Sequence, residues 1–392
     1  MEPLVIATKA PWPPIDGGRR LLWNTLEGLA AEGVRASLVA PVDPRRFDLR
    51  EVAAELAAIC APHLVPARPA TAPRALLGAL GGRPWTIARH ALAEVRREVE
   101  RLLAERTFAV VHAEQLQALP QAEPARRRGI PVLLRAQNVE SDLWRGADRW
   151  LLTAEARRLA RWEGRAVARV ERTLALSERD AGRLRELSGG KGRVEVLAAP
   201  FSARLPAGGP PLPGDPPVVL LAGSGWLPNR EGAAWFRREV WPRVRAECPR
   251  AELHLFGDAP GPDREEGVRL HPAPRDSAAA FPPGSVLAVP LRIASGVRIK
   301  VLEAWARGVP VVGTPEALAG LAARDGVEAL VAGDATGFAA AFTRLAAEPG
   351  LAAALATGGR AALAARHDPR GLARRLLGLY AELAAAAPHR RG

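Results

Sequence analysis

Lys300 and Glu303 stand three residues apart in the run Ser295-Gly-Val-Arg-Ile-Lys-Val-Leu-Glu303, which follows an apolar segment ending at Pro290. The pattern predicts a strand over Ser285–Pro290, a small-residue turn through Ser295 and Gly296, and a helix over Val297–Arg307. A helix N-terminus presents unpaired backbone N–H groups and about half a positive charge, which suits a phosphate. Gly296 and Val297 offer backbone that an anion can approach closely, with Arg298 and Lys300 adding side-chain charge. Lys300 and Glu303 share one helix face, while Val301, Leu302 and Trp305 turn to the core. Phosphate at the helix end and ribose against Glu303 is a workable layout for a nucleoside diphosphate. An ordinary strand–helix unit with a solvated charged face has the same pattern. Only three lysines, Lys9, Lys191 and Lys300, occur beside 52 arginines, so a lysine here points to a site suited to a compact ammonium.

The elements that would position these residues alternate. Short apolar strands are predicted at Leu4–Thr8, Arg35–Ala40, Phe108–His112, Ile130–Arg135, Thr173–Leu176 and Val194–Leu197, with helices between them, among them Trp85–Glu105 and Leu151–Glu171. The segment Ala199–Pro217 holds seven prolines and three glycines; prolines deny ladder and helix hydrogen bonds, so a linker is predicted over 201–217. Alternation then restarts with Val218–Ala222, a helix from Glu231 to Glu247, strand Glu252–Phe256, strand Val309–Gly313 and a region that is helical from Gly337 to about Ala385. This order predicts an α/β chain of two Rossmann-like, doubly wound domains facing across a cleft: residues 1–200, residues 218–368, and a C-terminal helix over 369–392.

Composition excludes several classes. With 392 residues, 48% hydrophobic and 25% charged, the chain has the make-up of a globular protein. No apolar run approaches the ~18–20 residues that span a bilayer, and Met1-Glu2-Pro3 carries no basic region, so no secretory leader and a cytoplasmic location are expected. Cys60 and Cys248 lack metal-ligand spacing and read as reduced core residues. The net charge of +13 is shared by both halves, which argues against a nucleic-acid partner. The basic helix Arg157–Arg172, interleaved with Glu163 and Glu171, is expected to give at most weak peripheral contact with anionic lipid on the inner face of a membrane. Serine-triad, zinc and Walker patterns are absent. Ser177-Glu-Arg-Asp180 reads as a helix N-terminus capped by Ser177.

Ser295–Pro310 resembles the donor-binding motif of retaining GT-B glycosyltransferases, particularly the large family-4 group. Pro11–Gly18 is similar to that family's N-terminal glycine loop, Val110-Val-His-Ala-Glu114 and Gln137-Asn-Val-Glu140 to segments of the acceptor half, and Gly223–Arg230 to the first donor-half loop. The resemblance implies transfer of a sugar from a nucleotide-diphosphate donor, with retention, to a glycan, lipid-linked or small-molecule acceptor, and without a metal or other cofactor. By motif position, Lys300 and Arg230 meet the diphosphate, with Ser295, Gly296, Val297 and Arg298 around it. Glu303 holds the ribose, and Gly17 and Gly18 let the N-terminal loop close over the donor. His112, Glu114, Asn138 and Glu140 fall on the acceptor side. Glu114 is either a general base towards the acceptor hydroxyl or a polar sugar contact, and shares a face with His112 if the strand continues past residue 112.

Three departures from the pattern stand out. Ser295 occupies a position that is commonly Glu, Ser224 one that is commonly Arg, and Glu114 one that is often His. A subgroup associated with surface polysaccharide synthesis is similar in its Ser-Gly-Val-Arg-Ile-Lys variant. A nucleotide-sugar epimerase of the same architecture and a sugar- or membrane-binding protein without catalysis are the rival readings.

Overall fold

The computed structural model describes residues 2–71, 75, 81–144, 150–206, 208–223, 227–258, 261–262, 265–274 and 277–387. The chain divides into two compact units, one of residues 1–14, 18–200 and 369–392, the other of residues 15–17 and 201–368.

The first unit is a seven-stranded parallel sheet built from β1 (Pro3–Ile6), β2 (Ser37–Val42), β3 (Ala61–Pro66), β4 (Val110–Glu114), β5 (Val132–Ala136), β6 (Arg172–Ala175) and β7 (Val194–Val196). Their order is β3-β2-β1-β4-β5-β6-β7. The central strands are buried on both faces, as short Val/Leu/Ala runs flanked by helices require. Helices α1 (Gly17–Ala31), α2 (Leu49–Leu56), α3 (Trp85–His90), α4 (Ala93–Glu105), α5 (Leu119–Arg127), α6 (Trp150–Arg169) and α7 (Glu178–Leu187) cover the sheet.

The second unit has β8 (Pro217–Gly223), β9 (Glu252–Gly257), β10 (Val268–His271), β11 (Val286–Val289), β12 (Val311–Gly313) and β13 (Leu330–Val331) in the parallel order β10-β9-β8-β11-β12-β13. Counted within this unit, that is the 3-2-1-4-5-6 order of dinucleotide-binding folds. Its helices include α8 (Leu227–Trp235), α9 (Trp241–Glu247), α10 (Ile299–Arg307), α11 (Pro315–Leu318), α12 (Ala335–Ala347) and α13 (Leu351–Arg366). A π turn over Phe236–Val240 joins α8 to α9. The last helix, α14 (Pro369–Ala386), packs in the first unit through Leu376, Leu379, Tyr380 and Leu383.

Both sheets reverse strand order beside their first strand, at β1/β4 and at β8/β11. Loops leaving the carboxyl ends there diverge to opposite faces, which opens a crevice within each unit.

Several elements differ from the sequence expectation. The predicted helix over Trp85–Glu105 breaks at Ala91 and Leu92, and the extended backbone of Leu92 lets its side chain reach the core. The helical C-terminal region is three helices, interrupted by Gly350 in a left-handed conformation (φ 85°) and restarted at Pro369, where a first-turn residue needs no N–H. The edge strands β3 and β10 lacked a signal, because β3 carries Pro62 and Pro66 and β10 is half exposed. The helix predicted from Val297 begins at Ile299, with Arg298 extended at the cap position.

Candidate functional site

In the second unit, β11 leads into a loop that turns at Gly296 (φ 73°), a left-handed conformation open to glycine. Gly296 cannot move far. Its carbonyl oxygen would stand 2.4 Å from a Cβ added to Gly320, so the turn is packed against backbone. Ser295 and Val297 are each 7% exposed, and Arg298, 8% exposed, folds its guanidinium back onto the carbonyl of Ser295. The structure therefore makes Arg298 a buried strut of the loop instead of a mobile charge.

Lys300 lies in the first turn of α10, and its Nζ donates to the Leu221 carbonyl at the end of β8 (2.8 Å) and to Asn229 Oδ1 on α8 (3.1 Å). These bonds carry the ammonium across the β8/β11 reversal. Burial, with Arg298 nearby, pushes its pKa down to about 7. A dianionic ligand would reverse that penalty by pairing with the charge. Arg230 is next to Asn229 on the same helix, 45% exposed, 3.7 Å from Asp258 Oδ2. Ser224, singled out in the sequence, lies outside the described residues.

Glu303, one turn beyond Lys300, is 5% exposed. Its Oε1 accepts from Ser277 Oγ (2.7 Å) and from Arg307 Nε and Nη2 (3.1 and 3.0 Å). Residues 15–17 belong to this unit, where a Cβ at Gly17 would lie 3.2 Å from Ile299 Cγ1. Gly18, the second residue of α1, belongs to the first unit, and Arg19 holds the preceding loop by donating to the carbonyls of Ala10 (2.6 Å) and Trp12 (2.9 Å).

In the first unit the polar residues gather at the β1/β4/β5 carboxyl ends. β4 continues through Glu114, so His112 and Glu114 share a face, with His112 Nε2 3.3 Å from Glu114 Oε2. Both are buried, at 1% and 2% exposure. Arg135, from the neighbouring β5, donates to Glu114 through Nε (2.9 and 3.0 Å) and Nη2 (2.6 Å), and to Thr25 Oγ1 (2.9 Å). Gln137 donates to Glu114 Oε1 at 2.8 Å. Burial alone would raise the Glu114 pKa, but Arg135 and then His112 outweigh it and hold it at about 2. His112 is pushed down by burial, and its Nδ1 lies 2.5 Å from the Tyr380 hydroxyl of α14. A carboxylate this acidic, with both oxygens occupied, has the chemistry of an anchored ion pair and little capacity to take a proton near neutrality.

The network reaches the crevice through amides. Gln137 Oε1 accepts from Gln115 Nε2 (2.8 Å), and Gln115 Oε1 from Thr8 Oγ1 in the loop after β1. Gln115 has φ 74° and ψ 152°, a region occupied almost only by glycine. A non-glycine residue held there costs about 1–3 kcal/mol and marks places where surrounding structure enforces a functional geometry. Asn138 Nδ2 is 3.4 Å from Glu140 Oε1. The Glu140–Ser141 turn is held by the fully buried Glu163 of α6, which accepts from Glu140 N (2.9 Å), Ser141 N (3.1 Å) and Ser141 Oγ (2.8 Å). Burial, and next to it the charge of Glu140, pushes Glu163 up to about 8.

The structure thus brings Ser295, Gly296, Val297, Arg298, Lys300 and Glu303 onto one loop and helix. It pairs His112 with Glu114, and Asn138 with Glu140. Asn229, Arg307, Gln115 and Gln137 are functional candidates that the sequence did not single out. Gln137 and Asn229 sit inside quoted motifs, whereas the backbone of Gln115 leaves no trace in sequence. Among the described residues no group of three or more His, Cys, Asp or Glu is placed to hold a metal ion, and no helix is long and apolar enough to cross a membrane.

Residues 16–200 match a family described as glycosyl transferase 4-like domain, and residues 216–348 match glycosyl transferases group 1. No curated protein matches the chain. Among solved structures, sucrose-phosphate synthase from Thermosynechococcus elongatus is similar in fold (TM-score 0.73, 18% identity, covering 98% of this chain and all of that one). So are Anabaena Alr3699/HepE in complex with UDP and glucose (TM-score 0.66, 15% identity, 97% and 99% covered) and a glycosyltransferase from Rickettsia africae (TM-score 0.63, 10% identity, 97% and 98% covered).

Proposed function

The chain is a glycosyltransferase of the GT-B fold, and on that footing we propose that it moves a sugar from a nucleoside-diphosphate donor to a glycan, lipid-linked or small-molecule acceptor with retention at the anomeric carbon. The observation that carries the donor half of this reading is the placement of Lys300 Nζ between Leu221 O and Asn229 Oδ1. An ammonium has three donors, and two are spent on the protein. The third is left for an anion at the switch point between β8 and β11.

The chemistry proposed follows from those positions. The diphosphate rests on the Gly296–Val297 backbone, Lys300 and Arg230, and the ribose on Glu303. As the glycosidic C–O bond breaks, charge grows on the departing phosphate oxygen. Fixed positive groups already aimed at that oxygen stabilise the transition state without reorganising. The acceptor hydroxyl attacks from the face the diphosphate leaves, and its proton passes to the departing phosphate. No protein nucleophile enters this scheme, and Glu114, occupied by Arg135, serves as a positioning residue for Gln137 and Gln115. Anabaena HepE, of the same fold, has been seen with UDP and glucose, which supports trying a UDP-sugar first.

The test is to incubate the protein with UDP-glucose, GDP-mannose and ADP-glucose and follow nucleotide release. Proton NMR of the freed or transferred sugar then reads its anomer in the first minutes. Retention gives the α sugar from an α donor. Appearance of the β sugar, or an epimerised nucleotide sugar, contradicts the proposal.

A further inference from the structure

The carboxylate of Glu303 is used unevenly. Three donors converge on Oε1, namely Ser277 Oγ at 2.7 Å, Arg307 Nη2 at 3.0 Å and Arg307 Nε at 3.1 Å. Among the described residues no donor reaches Oε2. An arginine facing a carboxylate normally grips both oxygens, one with each nitrogen of its fork. Here both nitrogens converge on one oxygen, so the other keeps its lone pairs for a partner outside the protein.

Arg307 is not an incidental surface residue. Its side chain is 8% exposed and that of Glu303 6%. Nη1, at the other end of the guanidinium, donates to Pro206 O at 2.7 Å. The backbone beside it is pinned too, because Leu205 N donates to Ala306 O at 3.1 Å. Further along the same proline-rich run, Gly209 N reaches Ala278 O at 3.3 Å, and a Cβ on Gly208 would lie 2.1 Å from Phe281 O. Residues 205–206 and 208–209 thus hold both the end of α10 and the short 3₁₀ turn Ser277–Ala280 that supplies the Ser277 hydroxyl.

We infer that Arg307, with Ser277, is a positioning residue for donor recognition: it fixes Glu303 by Oε1 so that Oε2 is presented to the ribose hydroxyls of the nucleotide. The inference rests on the reading that Glu303 holds the ribose. Lysine or a neutral residue at 307 cannot reproduce the grip, since a point ammonium does not lock the plane of a carboxylate. Freed from it, Glu303 rotates, and a hydroxyl-specific contact becomes a diffuse one.

The experiment compares affinities for a nucleoside diphosphate and for its 2′,3′-dideoxy counterpart. UDP, GDP and ADP are tried, and the one the wild type binds best is carried through. Calorimetry gives both affinities for the wild type and for Glu303→Ala, Arg307→Met, Arg307→Lys and Ser277→Ala, with circular dichroism and melting temperature confirming the fold. A charge-assisted hydrogen bond predicts that the wild type prefers the ribose form by roughly 10- to 100-fold. Glu303→Ala and both Arg307 variants are expected to reduce that preference to within about threefold, and Ser277→Ala, which removes one donor of three, to an intermediate value. General loosening of the fold would weaken both ligands alike and leave the ratio standing. If Glu303→Ala keeps the full preference, or no nucleotide binds, the ribose reading falls and the inference with it. If Glu303→Ala abolishes the preference while Arg307→Met and Arg307→Lys keep it, the inference alone is overturned. Should Arg307→Met fail to fold, Arg307→Lys and Ser277→Ala decide by the same criterion.

Discussion

Lys300 Nζ and Asn229 Oδ1 meet at 3.1 Å, although one residue lies on the helix after β11 and the other on the helix after β8. The bond bridges the crevice where strand order reverses and fixes the charge on which the proposed donor site depends. Because the ammonium is largely desolvated, with a pKa pushed down to about 7, its protonation is coupled to whatever anion it holds.

That coupling has a sign. Above pH 7 the free protein holds Lys300 mostly neutral, while a bound diphosphate favours the protonated form, so binding takes up a proton. Nucleotide affinity should therefore weaken as pH rises from about 7, by at most about tenfold per pH unit. Arg in place of Lys300 stays charged throughout, and its affinity should be flat over the same range. Calorimetry in buffers of different ionisation enthalpy reads the proton uptake directly. The wild type is expected to show it between pH 7 and 9, and Lys300→Arg to show none.

Glu114 and Arg135 form a second pair, in the core of the first unit. Removing one partner leaves the other buried and uncompensated, which costs about 3–5 kcal/mol. Urea denaturation of Glu114→Gln and Arg135→Met should show losses of this size. The double variant should lose much less than the sum, because the two act as one unit. The Glu114 carboxyl is held at about 2 against an ordinary 4.5. Its stabilisation is complete above pH 4.5 and is lost as pH falls towards 2, so Glu114→Gln should flatten that part of the acid limb.

Glu163 runs the other way. Its folded pKa is raised to about 8, so between pH 4.5 and 8 the folded state holds a proton that the unfolded chain releases. Its contribution to stability therefore declines as pH rises through this interval. Glu163→Gln should remove that decline while loosening the Glu140–Ser141 turn; the comparison of stability at pH 5 and pH 8 measures it.

The backbone of Gln115 offers a separate check. With φ 74° it pays strain that glycine does not, so Gln115→Gly should be more stable than Gln115→Ala by about 1–3 kcal/mol. Both variants lose the hydrogen bonds to Thr8 and Gln137. If the strain serves positioning, both should transfer sugar more slowly despite the difference in stability.

The two-domain α/β architecture was readable because parallel strands buried on both faces leave uninterrupted apolar runs, as at Val218–Ala222 and Ser285–Pro290. The turn and helix that carry Gly296, Lys300 and Glu303 were readable for a related reason, because their spacing is a local pattern. What escaped was set by long-range contact. Arg298 appeared as free charge, yet it packs into its own loop. Arg307 read only as the last residue of a helix, and its partner Pro206 lies 101 residues away. Arg135 read as the end of a strand, and only the pairing of β4 with β5 puts it beside Glu114. The proline-rich run that seemed a plain linker straps the end of α10. Its prolines rule out ladder bonds but not carbonyl acceptors.

The proposed transfer requires above all that a nucleoside diphosphate bind at Lys300 and Glu303. Thermal denaturation with UDP, GDP and ADP at 100 times the dissociation constant should show stabilisation of roughly 2.7 kcal/mol for one of them. That gain should be lost in Lys300→Ala and in Glu303→Ala, each measured against its own ligand-free melting temperature. A wild type that no nucleotide stabilises, or variants that keep the full shift, would contradict the donor site proposed at Lys300 and Glu303.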